Sequence, residues 1–370
     1  MNHYATKEGT ARYRDRSKNM LPSDHFRESQ GLWMSSIGFG TYLGNYDEST
    51  DIRYRDAVLR AVELGCNSID TAINYRFQRS ERSIGAALQV LFNDGKISRD
   101  ELIIATKGGY IPFDGAPPKD MNTYFIETFM KPGIASSEDI VSGSHCMTPR
   151  YIENQLECSL RNLGLECIDI YYLHNPEEQL QEVSREEFNK RISAAFEMLE
   201  KKVSQGKIRM YGTATWNGYR QEPNAPDCLS LEELVGIAKE VSGEDHHFKV
   251  IQLPFNLAMP EALILKNQRV DGEMTSILEA SWRLGVTVIG SSSLLQSQLS
   301  KNLPDFIGVC LKGLETDAQR AIQFVRSTPG ISSALVGMSK INHIEENMKV
   351  AKIPPASIED FVKLFASEEE

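Results

Sequence analysis

The chain has 370 residues, 41% of them hydrophobic, and a formal net charge of −11. An acidic surplus argues against nucleic acid as the main partner, although a local phosphate site needs few cations. The polar residues 1–27 carry no apolar signal core, no run of about 18 apolar residues exists, and the cysteines at 66, 146, 158, 167, 228 and 310 form neither a C-x-x-C pair nor a zinc-like spacing. The expectation is a cytoplasmic protein with reduced thiols, no membrane partner and no metal.

Residues 1–30 read as an N-terminal arm in which Arg12, Arg14, Arg16 and Lys18 form a solvated basic segment. Trp33 to Leu43 has a strand pattern ending in Gly38-Phe39-Gly40-Thr41-Tyr42, where glycines allow close approach of a ligand. Ile52 to Leu64 has helical spacing, and Gly65 stops it. Residues 68–72 form a buried strand. Residues 80–92 form a helix with Ser80 as N-cap and Glu81 and Ser83 in its polar first turn. Glu101 to Lys107 is a near-continuous apolar run, as parallel strands show.

The stretch 108–147 breaks this rhythm. It holds Pro112, Pro117, Pro118 and Pro132, and the aromatics Tyr110, Phe113, Tyr124, Phe125 and Phe129. Its length suggests a lid, whose aromatics either pack it down or touch substrate. Thr148-Pro149 starts a helix that ends at Gly164. Strands follow at 167–173, 207–213, 250–253, 286–289 and 331–336. Helices are expected at 187–204, 231–241, 274–284 and 317–326, and another carries Ile344, Met348 and Ala351. Residues 358–366 close the chain as a short helix before an acidic tail.

Eight alternating strand–helix units imply a parallel sheet, closed as a (β/α)8 TIM barrel over residues 31–357, with 358–370 as a C-terminal appendage. An open doubly wound sheet is the alternative, but no G-x-G-x-x-G follows the first strand. In a barrel, the ends of strands two, three and four carry Asp70, Lys107 and His174 to one mouth, with Tyr75 on the adjoining loop. That set can move a proton to a carbonyl oxygen. A free phenol titrates near 10, too high for efficient acid–base work at neutrality. An ammonium at Lys107 would lower it, Asp70 would keep Lys107 charged, and His174 could orient the carbonyl.

The residues Gly38-Phe39-Gly40-Thr41, Asp70-Thr71-Ala72-x-x-Tyr75, Ser80-Glu81-x-x-x-Gly85, Ala105-Thr106-Lys107, Tyr172-Leu173-His174 and Glu346-Asn347 resemble aldo-keto reductase motifs in that family's order, over about residues 36–353. The resemblance implies a barrel that reduces an aldehyde or ketone with NADP(H), NAD(H) not being excluded. It also implies Tyr75 as general acid, Asp70 and Lys107 as its tuning pair, and His174 as the orienting residue. For the cofactor it implies Gln252 on the nicotinamide amide and Glu346 and Asn347 at the adenine. Further contacts would come from Gly40, Thr41, Asp70, Thr215, Ser291, Ser292, Ser293, Leu294, Gln296, Gly337, Ser339, Lys340 and His343. The chain departs from the family's usual pattern in having Ala214-Thr215 after the fifth strand and Ser291, not an aromatic, after the seventh. A cofactor-binding regulatory or redox-sensing subunit with little turnover is the second expectation. A carbohydrate-processing barrel would need paired strand-end acids, and only Asp70 qualifies.

Overall fold

A computed structural model describes residues 3–365. The last residue of the expected 358–366 helix, and the acidic tail, lie outside them. Eight parallel strands close on themselves. They are β1 (Ile37–Gly40), β2 (Ser68–Asp70), β3 (Ile103–Gly108), β4 (Ile168–His174), β5 (Ile208–Ala214), β6 (Phe248–Pro254), β7 (Thr287–Ser291) and β8 (Ile331–Gly337). The principal helices that follow them are α1 (Glu48–Glu63), α2 (Arg79–Asn93), α3 (Pro149–Leu163), α4 (Arg185–Ser204), α5 (Leu231–Ser242), α6 (Ile277–Arg283), α7 (Asp317–Ser327) and α8 (Ile341–Met348). The closed barrel expected from the alternation is therefore the observed fold. Every residue of β3 is buried, which accounts for its unbroken apolar run.

Two packed layers hold the molecule. Helix faces cover the outside of the barrel, and a smaller cluster fills its inside, built from Ile103, Ala105, Ile170, Tyr172, Met210, Val250, Ile289 and Leu335. The same inner cluster contains Ala5, Leu32 and Met34. Instead of a solvated arm, the N-terminal segment is thus a floor. Lys7–Ser17 is a helix capped by Thr6, and Phe26–Ser29 and Leu32–Ser35 form a hairpin around Gln30-Gly31. Lys18 is exposed as expected, but the arginines have partners: Arg12 donates to both oxygens of Asp100 at 2.8 and 2.9 Å and Arg16 pairs with Glu101, both staying about half exposed, and Arg14 stacks over Trp33 at 4.0 Å.

Other local expectations shift for physical reasons. Ser80 does not cap α2, because its hydroxyl donates to the Thr41 carbonyl at 2.9 Å; Gln78, in a left-handed conformation, stands at the cap position. Met274 and Thr275 are not helical: they pair with Gln268–Val270 in a small hairpin, and Ser276 caps α6. The 108–147 segment contains a helical turn at Met121–Phe125 that continues through Met130.

Candidate active site

Register sets the heights of the key residues. Asp70 on β2 lies level with Ala105 of β3, so Lys107 stands two residues higher, opposite Tyr172 of β4. Across the mouth, His174 pairs with Ala214, and Ala214 with Gln252. The resulting ring brings the side chains of Asp70, Lys107 and Gln252 into contact. Lys107 Nζ donates to Asp70 Oδ1 at 2.5 Å and to the Thr71 carbonyl at 2.7 Å. Gln252 Nε2 donates to Asp70 Oδ2 at 2.8 Å. The Lys107 ammonium lies 5.0 Å from the centroid of the Tyr75 ring. Tyr75 and His174 meet edge to face at 5.8 Å, and Tyr110 meets the other imidazole neighbour, His145, at 5.2 Å while approaching His174 at 5.1 Å.

Burial dominates the electrostatics. It raises the Asp70 carboxyl and lowers the Lys107 ammonium, and their mutual attraction opposes both shifts. His174 is held well below the usual imidazole value by burial and then by Lys107, so it is neutral at physiological pH. Tyr75 is pushed well above 10, by burial first and then by Asp70. The expected lowering by Lys107 is not observed, because that ammonium is committed to Asp70 and the Thr71 carbonyl. A protonated phenol beside a neutral imidazole and a paired ammonium is a set that can give up a proton to a basic oxygen.

Tyr75 is followed by three consecutive left-handed residues, Arg76, Phe77 and Gln78, with φ of 49, 58 and 69°. Such a run is costly for side-chain-bearing residues. It is stabilised by Arg76, whose Nε donates to the Asn45 carbonyl at 2.7 Å and whose guanidinium pairs with Asp51 at 2.6 Å. Beneath the turn, Glu81 is buried rather than solvated, accepting from Thr106 Oγ1 at 2.6 Å and Asn162 Nδ2 at 2.8 Å. Gly85 is required here: a Cβ would sit 2.5 Å from the Asn162 carbonyl, so any side chain would push α3 off α2.

A cavity of about 450 Å³ opens above these residues. Of the positions expected to bind a cofactor, Gly40, Thr41, Asp70, Thr215, Gln252, Ser291, Ser292, Ser293, Leu294, Gln296 and Gly337 line it. Ser339, Lys340, His343, Glu346 and Asn347 do not. They lie on the β8–α8 loop and on α8, whose start carries no side-chain cap. Lys340 and His343 are exposed, whereas Glu346 accepts from Thr316 Oγ1 at 2.8 Å and Asn347 is buried. Four buried polar atoms of lining residues, Asn74 Oδ1, His174 Nδ1, Thr215 Oγ1 and Ser293 Oγ, have no partner among the described residues. Native interiors seldom leave such atoms unpaired, so the cavity is suited to a polar ligand.

Residues 36–368 match the model of the aldo/keto reductase family. The chain belongs to the aldo/keto reductase family. It is 25% identical over 342 residues to a Schizosaccharomyces pombe protein described as a candidate voltage-gated potassium channel subunit beta, covering 88% of this chain and 87% of that protein. It is 30% identical over 192 residues to the NADH-specific methylglyoxal reductase of Escherichia coli, covering 50% and 49% of the two chains. An aldo/keto reductase from Klebsiella pneumoniae, solved with NADP and acetate, shares the fold with a TM-score of 0.61 at 20% identity, over 92% of this chain and 94% of that one.

Outside the motifs of this aldo/keto reductase family member stands a second set of site residues. Tyr42, Leu43, Asn74, Asn175 and Trp216 also line the cavity. Of the long loop's aromatics, Tyr110 alone lines it; Phe113, Tyr124, Phe125 and Phe129 stack in series down to Tyr151 of α3. The loop's return is pinned to the turn after β4. Asn175 Nδ2 donates to Tyr110 Oη at 2.8 Å, Ser142 donates to Gln181 and Glu182, and His145 Nε2 bonds the His174 carbonyl at 2.7 Å. The available signal was the proline at 176, which forces a turn at the strand end and sets polar residues beside His174. No helix among the described residues is long and apolar enough to cross a membrane.

Proposed function

We propose that the protein reduces an aldehyde or ketone to the alcohol, with NADP(H) as the preferred hydride source. The observation that carries this reading is the meeting of Tyr75, His174 and the Lys107–Asp70 pair at a cavity whose walls hold unpartnered polar atoms. When bound, the cofactor supplies a hydride to the carbonyl carbon. Thr215, Gln252 and Ser291 would hold its nicotinamide end; Ser339, Lys340, His343, Glu346 and Asn347 would hold the adenine and phosphate end, where helix-start N–H groups favour anions. Tyr75 gives its phenolic proton to the carbonyl oxygen as the new C–H bond forms. Burial keeps that proton in place beforehand, and the Lys107 ammonium lies 5.0 Å from the ring centroid. Asp70 keeps Lys107 charged and aimed. His174, neutral, can donate an N–H to the same oxygen and orient it.

NADPH consumption with a panel of aldehydes and ketones tests the activity, and alcohol formed in proportion to NADPH is the expected result. Fluorescence titration with both cofactors tests the preference: Lys340 and His343 favour the additional phosphate, and equal or tighter NADH binding would overturn it. The description of the S. pombe relative favours a second reading, a cofactor-binding subunit with little turnover. Tight NADPH binding with no consumption in single-turnover experiments, across the whole panel, is the result that would select it.

A further inference from the structure

The turn after His174 carries a buried acid that the proposed reaction does not use. Glu177 lies in the turn Pro176–Gln181 and is 3% exposed. Its Oε1 accepts three backbone N–H groups from the loop after β5: Trp216 at 2.7 Å, Asn217 at 3.0 Å and Gly218 at 3.2 Å. Its Oε2 is buried with no partner among the described residues. No lysine or arginine pairs with it there. The titratable groups facing it are Glu178 on its own turn, Tyr110 from the long loop and Tyr219 from the β5–α5 segment; burial raises both phenols far above neutrality. Burial also pushes the Glu177 carboxyl up to about 7, against the pull of its own backbone N–H and of the three loop N–H groups.

The three N–H groups belong to the residues that immediately follow Thr215, and Thr215 and Trp216 both line the cavity. We propose that Glu177 is a positioning residue: it clamps the loop after β5, fixes Trp216 and Thr215 on the cavity wall, and slackens that hold when its carboxyl takes up a proton. As a carboxylate it accepts charge-assisted bonds, roughly twice as strong as neutral ones. As an acid it must also house an O–H where Oε2 has no acceptor, so the clamp weakens. The loop is then tight above neutrality and looser below it. This inference stands on the loop geometry and does not depend on turnover.

The test uses Trp216 as its reporter, in a full-length protein carrying Trp33→Phe and Trp282→Phe. Acrylamide quenching of Trp216 is followed across about pH 5.5–8.5, spanning the raised carboxyl. With Glu177 present, quenching should rise as pH falls, along a single titration near neutrality. Glu177→Gln keeps an acceptor oxygen and removes the titration, so its profile should be flat. Glu177→Leu removes the acceptor, and Trp216 should be more quenched at every pH. A neutral-range titration that persists in Glu177→Gln would overturn the proposal, as would parent-like quenching in folded Glu177→Leu. Should Glu177→Leu fail to fold, the near-isosteric Gln variant still decides. None of these readings requires a substrate, so failure of the reductase reading would show separately, as an absence of NADPH consumption.

Discussion

The two ends of the barrel each bury an aspartate next to a cation, and treat it differently. At the floor, Asp169 is 1% exposed; it accepts the Ala5 N–H at 2.6 Å, the Ile104 N–H at 2.8 Å and Arg99 at 2.8 Å. Its bonds tie the N-terminal segment, β3 and β4 together. At the mouth, Asp70 accepts Lys107 and Gln252, yet the residues around it leave four buried polar atoms without partners. Both aspartates cost desolvation. At the floor Arg99 Nε is likewise without a partner among the described residues, but at the mouth four such atoms line one cavity, and reserve of that kind is what a ligand uses.

The sharpest way to break the contrast is at Tyr75. Tyr75→Phe should leave fold and cofactor binding intact and lower kcat by about 10²–10⁴-fold, the usual effect of losing an acid–base group; steady-state kinetics on a verified substrate checks this. The floor should respond in the opposite currency. Asp169→Ala strands Arg99 beside three lost bonds and should cost about 3–5 kcal/mol in urea unfolding, with kcat of the folded fraction unchanged.

A pH experiment comes next. His145, bonded to the His174 carbonyl, is held by burial at about 4, below the ordinary imidazole value of 6.5. Between those values the unfolded chain binds a proton that the folded one refuses. The contribution is therefore fully present above pH 6.5 and lost as pH falls toward about 4, a swing of up to about 3 kcal/mol. His145→Gln should flatten the decline of Tm through that window; an unchanged slope would remove His145 from the account. The smallest effect is expected at Ser291, which lines the cavity and, in the proposed cofactor placement, stands where an aromatic could cover the nicotinamide face. Ser291→Tyr should tighten NADPH by up to about tenfold, stacking being worth about 0.5–1.5 kcal/mol. Unchanged or weaker binding in the folded variant would point to a neighbour, such as Trp216, already filling that space.

The mouth was legible because strand ends punctuate sequence: an apolar run closing in Asp70, Lys107 or His174 marks both height and direction. The floor was not. Arg12 and Arg16 stay half exposed but meet the buried Asp100 and Glu101 from far along the chain, so the local composition shows the solvated side of these pairs and not their partners. Ser80 looked like a cap because local pattern cannot show that the Thr41 carbonyl takes its hydroxyl. Met274 fell at helical spacing, yet the hairpin partner Arg269 claims its backbone. Glu177 was invisible as a clamp, since its three donors come from another strand's loop.

The floor has a consequence in time. Ala5 and Asp169 are 164 residues apart. At a synthesis rate of about 5–20 residues per second, Ala5 waits roughly ten to thirty seconds for its acceptor to be made. Through that interval the helix Lys7–Ser17, 11 residues long, has no closed barrel to seat on, and Arg12 itself waits 88 residues for Asp100. A helix so short is marginal alone in water. The segment made first therefore docks after the strands that follow it, and its contacts govern how fast the finished protein opens more than how fast it forms.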